Sequence, residues 1–476
     1  RCWRSLALSM PSLWTEFTID LENDPRCQYL GQGPDSFLSL SRPLPLDISF
    51  HGHSRSKSTQ SITRFRTIIN TLLQSVARWK KAAIILRWPA DNPDLWRLLQ
   101  CAPASYTQLE TLEISVKPKS WSDGTVEGRP QGFDRLPILH APALRNLAID
   151  TWKATWVIPS SWVELRELRV YESINHAALF SFLSAHPNLS RLSVVVGGLE
   201  GMEDPPATCE NYVHANLNSL ILLYYPQVPI SLLRMPKTPA LQTLSIVRAV
   251  RAHGALEEVD LLKTRLSIQN MVQTCSSSLA DLKLHDCVFY DSDLIQILQP
   301  LTNLKHLDIE AHSTILTPDI FVRLTPGSVL QSRETCPSGS AVLCPNLASL
   351  KLCVKGDDLS EADERIEVAF SLIAGLIVRG ASSVRIISEA WSTVEARNDK
   401  WRDTVTAAAL EEASMRQSKK EEVEKRIGEM KDTLGVEGLR LARHDDREWI
   451  RDDLVEHWFS AHGIRLIGHV IIYESG

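Results

Sequence analysis

No two of the nine cysteines in this 476-residue chain are spaced as Cys-x-x-Cys, and their number is odd. A disulfide framework is not expected in a chain of this length, and reduced thiols fit the cytoplasm or nucleus. The nearest grouping is Cys336, Cys344 and Cys353, with His285 or His312 to complete it. It lacks the closely spaced pairs, roughly two to four residues apart, that zinc sites use, so no metal is expected. Excess positive charge is lacking too: 51 Lys and Arg stand against 57 Asp and Glu, a net charge of −6. That excludes a sequence-wide field drawing the chain to nucleic acid or an anionic membrane. The apolar stretch 368–378, between Glu367 and Arg379, falls short of the ~20 residues that span hydrocarbon. Residues 1–8 hold no long apolar run and no small-residue cleavage pattern follows, so no secretory signal is expected there. Residue 1 is Arg, which leaves open what precedes it. With 44% hydrophobic and 23% charged residues the composition is globular, and a protein partner in solution is the default expectation.

What the chain has in abundance is one short pattern, Leu-x-x-Leu-x-(Leu/Ile/Val). Nine copies occur, beginning at Leu109, Leu144, Leu165, Leu189, Leu217, Leu241, Leu279, Leu304 and Leu347. A degenerate copy is Trp79/Ala82/Ile84, and before it Leu44, Leu46, Ile48 and Phe50 alternate as one strand. The fourth and sixth positions alternate as in a strand with one buried face, and the first leucine closes the core beneath the turn that enters it. One such strand cannot bury itself, whereas copies stacked side by side make a parallel sheet over a continuous leucine core. Helix-like segments at 176–185, 261–275 and 291–298 fall between strands. Strand then helix, repeated, predicts an α/β right-handed coil.

These segments resemble leucine-rich repeats. Leu279-Ala-Asp-Leu282-Lys-Leu284-His-Asp-Cys287 matches the signature L-x-x-L-x-L-x-x-(N/C) at every fixed position. The other copies carry neither Asn nor Cys at position nine, so the polar ladder usual in the family is mostly absent. Spacing runs from 21 residues (Leu144 to Leu165) to 43 (Leu304 to Leu347). The resemblance implies an irregular leucine-rich-repeat solenoid, parallel sheet on one face and helices on the other. Loop insertions at 117–136, 197–211, 247–257 and 325–342 are expected along one edge, where binding residues commonly gather.

The first residues, Arg1-Cys-Trp3-Arg4-Ser-Leu6-Ala7-Leu8-Ser-Met-Pro11-Ser-Leu13-Trp14, form a helical apolar face, a break at Pro11 and a second anchor. They resemble the end of an F-box and its linker in fungal F-box and leucine-rich-repeat proteins, the match continuing into the strand pattern 45–49. Only about the last third of an F-box is covered. The resemblance implies that Trp3, Leu6, Leu13 and Trp14 pack on the adaptor side. A competing expectation is that Trp3, Leu13 and Trp14 cap the first repeat, since a solenoid needs its open core covered.

In each copy the third, fifth and seventh positions are expected on the sheet's open, concave face. There the centre reads as apolar (Val195, Ile221, Leu223, Val247) and the ends as charged (Lys283, His285), with Arg169 and Tyr171 at the border. An apolar centre inside a polar rim is the anatomy of a protein-binding site, and Tyr and Arg are frequent hot spots. The alternative is that loops or the C-terminal segment fold over this centre. The group Asp281, His285, His306, Asp308 and Glu310 has no accompanying nucleophile or phosphate loop and reads as cross-strand charge pairs, not a catalytic site.

After residue 355 the pattern changes. A helix-like stretch 361–379, a strand 383–387, a charged amphipathic helix containing Val423, Ile427, Met430 and Leu434, and a final strand 464–473 read as a helix-rich C-terminal cap. The expected layout is an F-box tail and linker (1–20), a solenoid (21–355) and a cap (356–476). No catalytic residue and no cofactor are expected. By resemblance the function is substrate recognition within a Skp–cullin–F-box ubiquitin ligase, with the Skp-type adaptor, a cullin and an unidentified protein target as partners. A recognition scaffold without a ubiquitin role is the alternative, and an unrecognised enzyme a remote one.

Overall fold

The computed structural model describes residues 9–20, 43–52, 68–88, 105–118, 136–151, 162–196, 212–224, 237–248, 258–312, 343–355, 383–388, 440–443 and 469–474. Single positions inside these spans are excepted, and a few isolated residues outside them, such as Leu6 and Lys425, are included. The chain divides into two compact units, residues 1–217 and 218–476, so the boundary falls inside the span expected to be one solenoid.

The first unit carries β1 (Glu16–Asp20), β2 (Leu46–Gly52), β3 (Trp79–Trp88), β4 (Thr111–Pro118), β5 (Asn146–Thr151), β6 (Glu167–Ile174) and β7 (Arg191–Val196). They pair in chain order and in parallel. Helix α1 (His176–Ala185) joins β6 to β7. The second unit carries β8 (Ser219–Tyr224), β9 (Thr243–Arg248), β10 (Asp281–His285), β11 (His306–His312), β12 (Ser349–Lys355) and β13 (Ser383–Ser388), again parallel and in order. Helices α2 (Glu258–Cys275) and α3 (Asp291–Leu298) lie between β9 and β11. Beyond β13 the rule breaks: β15 (His469–Glu474) pairs with β13 antiparallel, and β14 (Arg440–Arg443) pairs antiparallel with β15. The expected helix at 361–379 lies outside the described residues. Of the amphipathic helix around 421–434 only isolated positions are described, among them an i,i+4 pair between Lys425 and Glu429 at 3.7 Å. No helix among the described residues is long and apolar enough to cross a membrane.

The leucine pattern sets both burial and register. Every described member of the nine triplets is at most 4% exposed, and like positions pair with like: Leu112 with Leu147 and Ile114 with Ile149, Leu244 with Leu282 and Ile246 with Leu284. A slip of one residue would turn each triplet to the other face, so the hydrophobic effect locks the register. Ala82 and Ile84 pair with Leu112 and Ile114, which places the degenerate copy in phase. One further copy escaped the sequence reading. Phe17 and Ile19 pair with Ile48 and Phe50, so Trp14-x-x-Phe17-x-Ile19 is a copy with tryptophan in the first leucine's place, preceded by a 3-10 turn at Pro11–Trp14.

Seven of the nine copies are entered by the same turn, while the Leu279 N–H reaches back four residues to Cys275. The N–H of the first leucine donates to the carbonyl three residues back: Leu109 to Tyr106, Leu144 to Ala141, Leu165 to Trp162, Leu189 to His186, Leu241 to Thr238, Leu304 to Leu301 and Leu347 to Cys344. The residues at that accepting position are themselves buried. In the first unit they include an aromatic and histidine row: Tyr106 beside Trp79, Trp162 tilted against His186, and His186 stacked on Phe182 with ring centroids 4.2 Å apart. Some of their polar atoms find backbone partners, as burial favours. The Trp162 indole donates to the Leu139 carbonyl, and His214 Nε2 lies 3.2 Å from the His186 carbonyl. Burial holds His214 below the ordinary imidazole range.

A polar ladder does exist, at a position other than the ninth. The residue just before the first leucine reaches the preceding coil: Asn216 Nδ2 donates to Pro187 O, Asn303 Nδ2 to Ser277 O, Asn346 Nδ2 to Thr302 O, and Ser278 Oγ to Leu241 O, at 2.7–2.9 Å. Where position nine is Cys287, the thiol is buried and lies 3.8 Å from the Ile246 carbonyl, with the Tyr224 hydroxyl 3.6 Å from its sulfur. Behind the sheet, α2 and α3 meet through Arg265, 6% exposed, and Asp293, 3.3 Å apart. Removing one partner of such a buried pair leaves a charge without its counter-ion. Arg265→Ala should therefore cost about 3 kcal/mol of stability. Arg265→Met, which removes the charge and keeps the volume, should cost less, both read from urea midpoints monitored by circular dichroism.

Candidate functional site

The eight expected contact residues are divided between the two compact units. Arg169, Tyr171 and Val195 belong to the first unit, and Ile221, Leu223, Val247, Lys283 and His285 to the second. The apolar centre expected to be open is buried: Val195 and Leu223 are 1% exposed and Val247 2%. Ile221 and Lys283 are half-buried, and His285 is 5% exposed. The reason lies in the strand ends. Val194-Val195-Val196, Leu222-Leu223 and Ile246-Val247 are runs without alternation, the mark of strands covered on both faces. Those runs were the signal that the seventh position is not a surface position in this stretch.

In the first unit, β6 bulges. Val170 pairs with Val194, but the next pair is Ser173 with Val195, so Tyr171 and Glu172 are looped out of register. Tyr171 is thus not the equivalent of Val195, contrary to simple counting along the strand. Burial pushes its hydroxyl up to about 12 against the pull of Arg169. Arg169 Nε bonds Glu167 Oε1 at 2.7 Å. On the adjoining strands Ser115 donates to Asp150 at 2.9 Å.

At the start of the chain, Leu6 and Leu13 are 50% and 57% exposed, so Leu13 does not cap the core. Trp14 is half-buried at the head of the first copy. Trp3 lies outside the described residues.

Among the described residues, a concavity lies in the second unit. A hollow of about 410 Å³ opens over β8 to β12, underlain by the strand backbone at Leu244, Leu282 and Leu307 and walled by Ile221, Thr243, Ser245, Asp281, Lys283, His306, Asp308, Ser349 and Lys351. The parallel register builds it. Thr243, Asp281, His306 and Ser349 fall in one cross-strand row, and Ser245, Lys283, Asp308 and Lys351 in the next. Strands only ~5 Å apart let neighbouring side chains within a row meet. Asp281 receives the Thr243 hydroxyl at 3.3 Å and has His306 Nε2 at 3.7 Å. Asp308 takes Lys351 Nζ on one oxygen at 3.2 Å. His285 Nε2 stands 2.9 Å from the other oxygen, paired by charge and off the line of a good hydrogen bond. Burial alone would push the Asp308 carboxyl up, but the charges of His285, Lys351 and Lys283 outweigh it and hold it well below the usual carboxylate range.

Chemically the hollow is a net of charge pairs with hydroxyls around it. Among the described residues no three His, Cys, Asp or Glu side chains are grouped to hold a metal ion. Of the residues lining it, Ile221 and Lys283 were in the expected contact set, as was the neighbouring His285, whereas His306 and Asp308 had been weighed only as charge pairs. A search against protein-family models finds none that matches the chain, and a search of curated proteins finds no significant relative.

The lowered carboxyl of Asp308 has a sign that can be checked. Its contribution to stability is present above the unfolded carboxylate value of about 3.9 and is lost as pH falls below it toward the lower folded value. Asp308→Asn should therefore cost about 1–3 kcal/mol at neutral pH. The gap from wild type should shrink as denaturation is repeated at successively lower pH through the carboxylate range.

Proposed function

We propose that the chain is an irregular leucine-rich-repeat module for protein recognition, acting as the substrate-receptor part of an F-box-type ubiquitin ligase. The observation that carries the recognition reading is the in-register stacking of leucine copies. It fixes the backbone from within and leaves the strand-face rows of β8 to β12 to display polar side chains around a hollow. A rigid backbone with a variable row of side chains suits binding, because little ordering entropy is lost on association. The charge pairs of the hollow fit a contact surface, with no activated nucleophile in them.

The ubiquitin-ligase part rests on the resemblance of residues 1–14 to the end of an F-box. The exposure of Leu6 and Leu13 supports it, since two apolar side chains in solvent at the head of the chain suit a packing partner. In this reading the chain supplies proximity, and transfer chemistry belongs to other subunits.

The test is affinity purification of the chain, expressed with whatever upstream sequence its gene encodes, followed by mass spectrometry. The Skp-type adaptor and a cullin should be recovered. Leu13→Asp, at a position that contributes nothing to the core, should lose the adaptor while leaving the thermal midpoint unchanged. A folded chain that recovers neither adaptor nor cullin leaves the scaffold reading in its place.

A further inference from the structure

The hollow of the second unit is asymmetric in what it can offer a partner. Its two carboxylates face cations and hydroxyls: Asp281 has Thr243 and His306 beside it, and Asp308 is hydrogen-bonded to Lys351 with His285 close to its other oxygen. Neither has an oxygen left without a cationic or hydroxyl neighbour. The donors are less spent. An ammonium has three N–H groups, and Lys351 uses one of them, on Asp308, at a side chain 24% exposed. The His306 side chain is 54% exposed and directs one ring nitrogen to Asp281. The Ser349 hydroxyl lies in the same row and lines the same hollow. A surface with engaged acceptors and surplus donors selects a partner rich in acceptors, and charge-assisted bonds to carboxylate are the stronger kind.

We infer that this face of β10 to β12 binds an acidic peptide segment, with an Asp or Glu carboxylate of the partner taken by Lys351, His306 and Ser349. The inference rests on the recognition reading and gives it a partner chemistry. The strand backbone at Leu244, Leu282 and Leu307 underlies the partner's main chain, and the Asp308 carboxylate holds Lys351 in place. The whole chain carries a net charge of −6, so long-range attraction would not bring an acidic peptide to it. Binding would have to come from these local donors.

The probe is a short fluorescein-labelled peptide alternating Glu and Ala, titrated by anisotropy with the full chain at low and moderate salt. Its Lys–Ala counterpart and a phosphoserine version run in parallel. Saturable binding of the glutamate peptide is expected. Lys351→Met should weaken it about tenfold, the loss of one charge-assisted hydrogen bond. Asp281→Asn, which removes a like charge, should tighten it about threefold. Melting curves establish that both variants are folded, and the opposed directions separate a binding role from a structural one. The inference is overturned by any of three results: no saturable binding, a lysine or phosphoserine peptide bound where the glutamate peptide is not, or both variants shifting affinity the same way. Adaptor recovery is read in a separate experiment, so loss of the ligase reading leaves this result standing, and peptide failure beside recovered adaptor refutes only this inference.

Discussion

The structure depends on one constraint, that each leucine triplet must lie over the equivalent triplet of the copy before it. The main chain enforces the same alignment. The residue after the first leucine offers its carbonyl to two N–H groups of the next copy, as Gln242 does to Ala280 and Asp281, and Ala280 in turn to Lys305 and His306. Backbone pairing and apolar burial therefore favour one register, which is the agreement between local and global preferences that gives a chain a single fold. Insertions of very different length are tolerated between copies because closing a longer loop costs little more.

Much of this was legible in the residues, and the failures have physical causes. The triplets announced their burial because a first leucine followed by a period of two has no other economical placement. Trp14-x-x-Phe17-x-Ile19 escaped because none of its three positions is leucine, although the apolar spacing is the same. The buried position three residues before the first leucine escaped for another reason. It holds Tyr106, Trp162, His186 and Thr238 in turn, and side chains so unlike show no hydrophobic period. What unites them is the turn carbonyl they carry.

The errors at the strand face share a cause as well. Alternation assigns faces only while a strand stays flat, in register and covered on one side. Val195, Leu223 and Val247 failed the last condition, and Tyr171 the second, since a bulge moves every later residue of β6 by a step that no residue type announces. The antiparallel return of β15 onto β13 is equally silent, because a strand's sequence carries no direction of pairing.

The charged rows of the second unit follow from the same stacking that buries the leucines. A register that places Leu282 beside Leu307 also places Lys283 beside Asp308, and Asp308 beside Lys351. The core thus determines which charges become neighbours. Asp308 is ionised by the company the register gives it, since burial works against the charge and three cationic neighbours overcome it. A carboxylate held in this way no longer presents an open acceptor to solvent. It becomes part of the wall, and the hollow takes its outward character from the donors that the carboxylate does not consume.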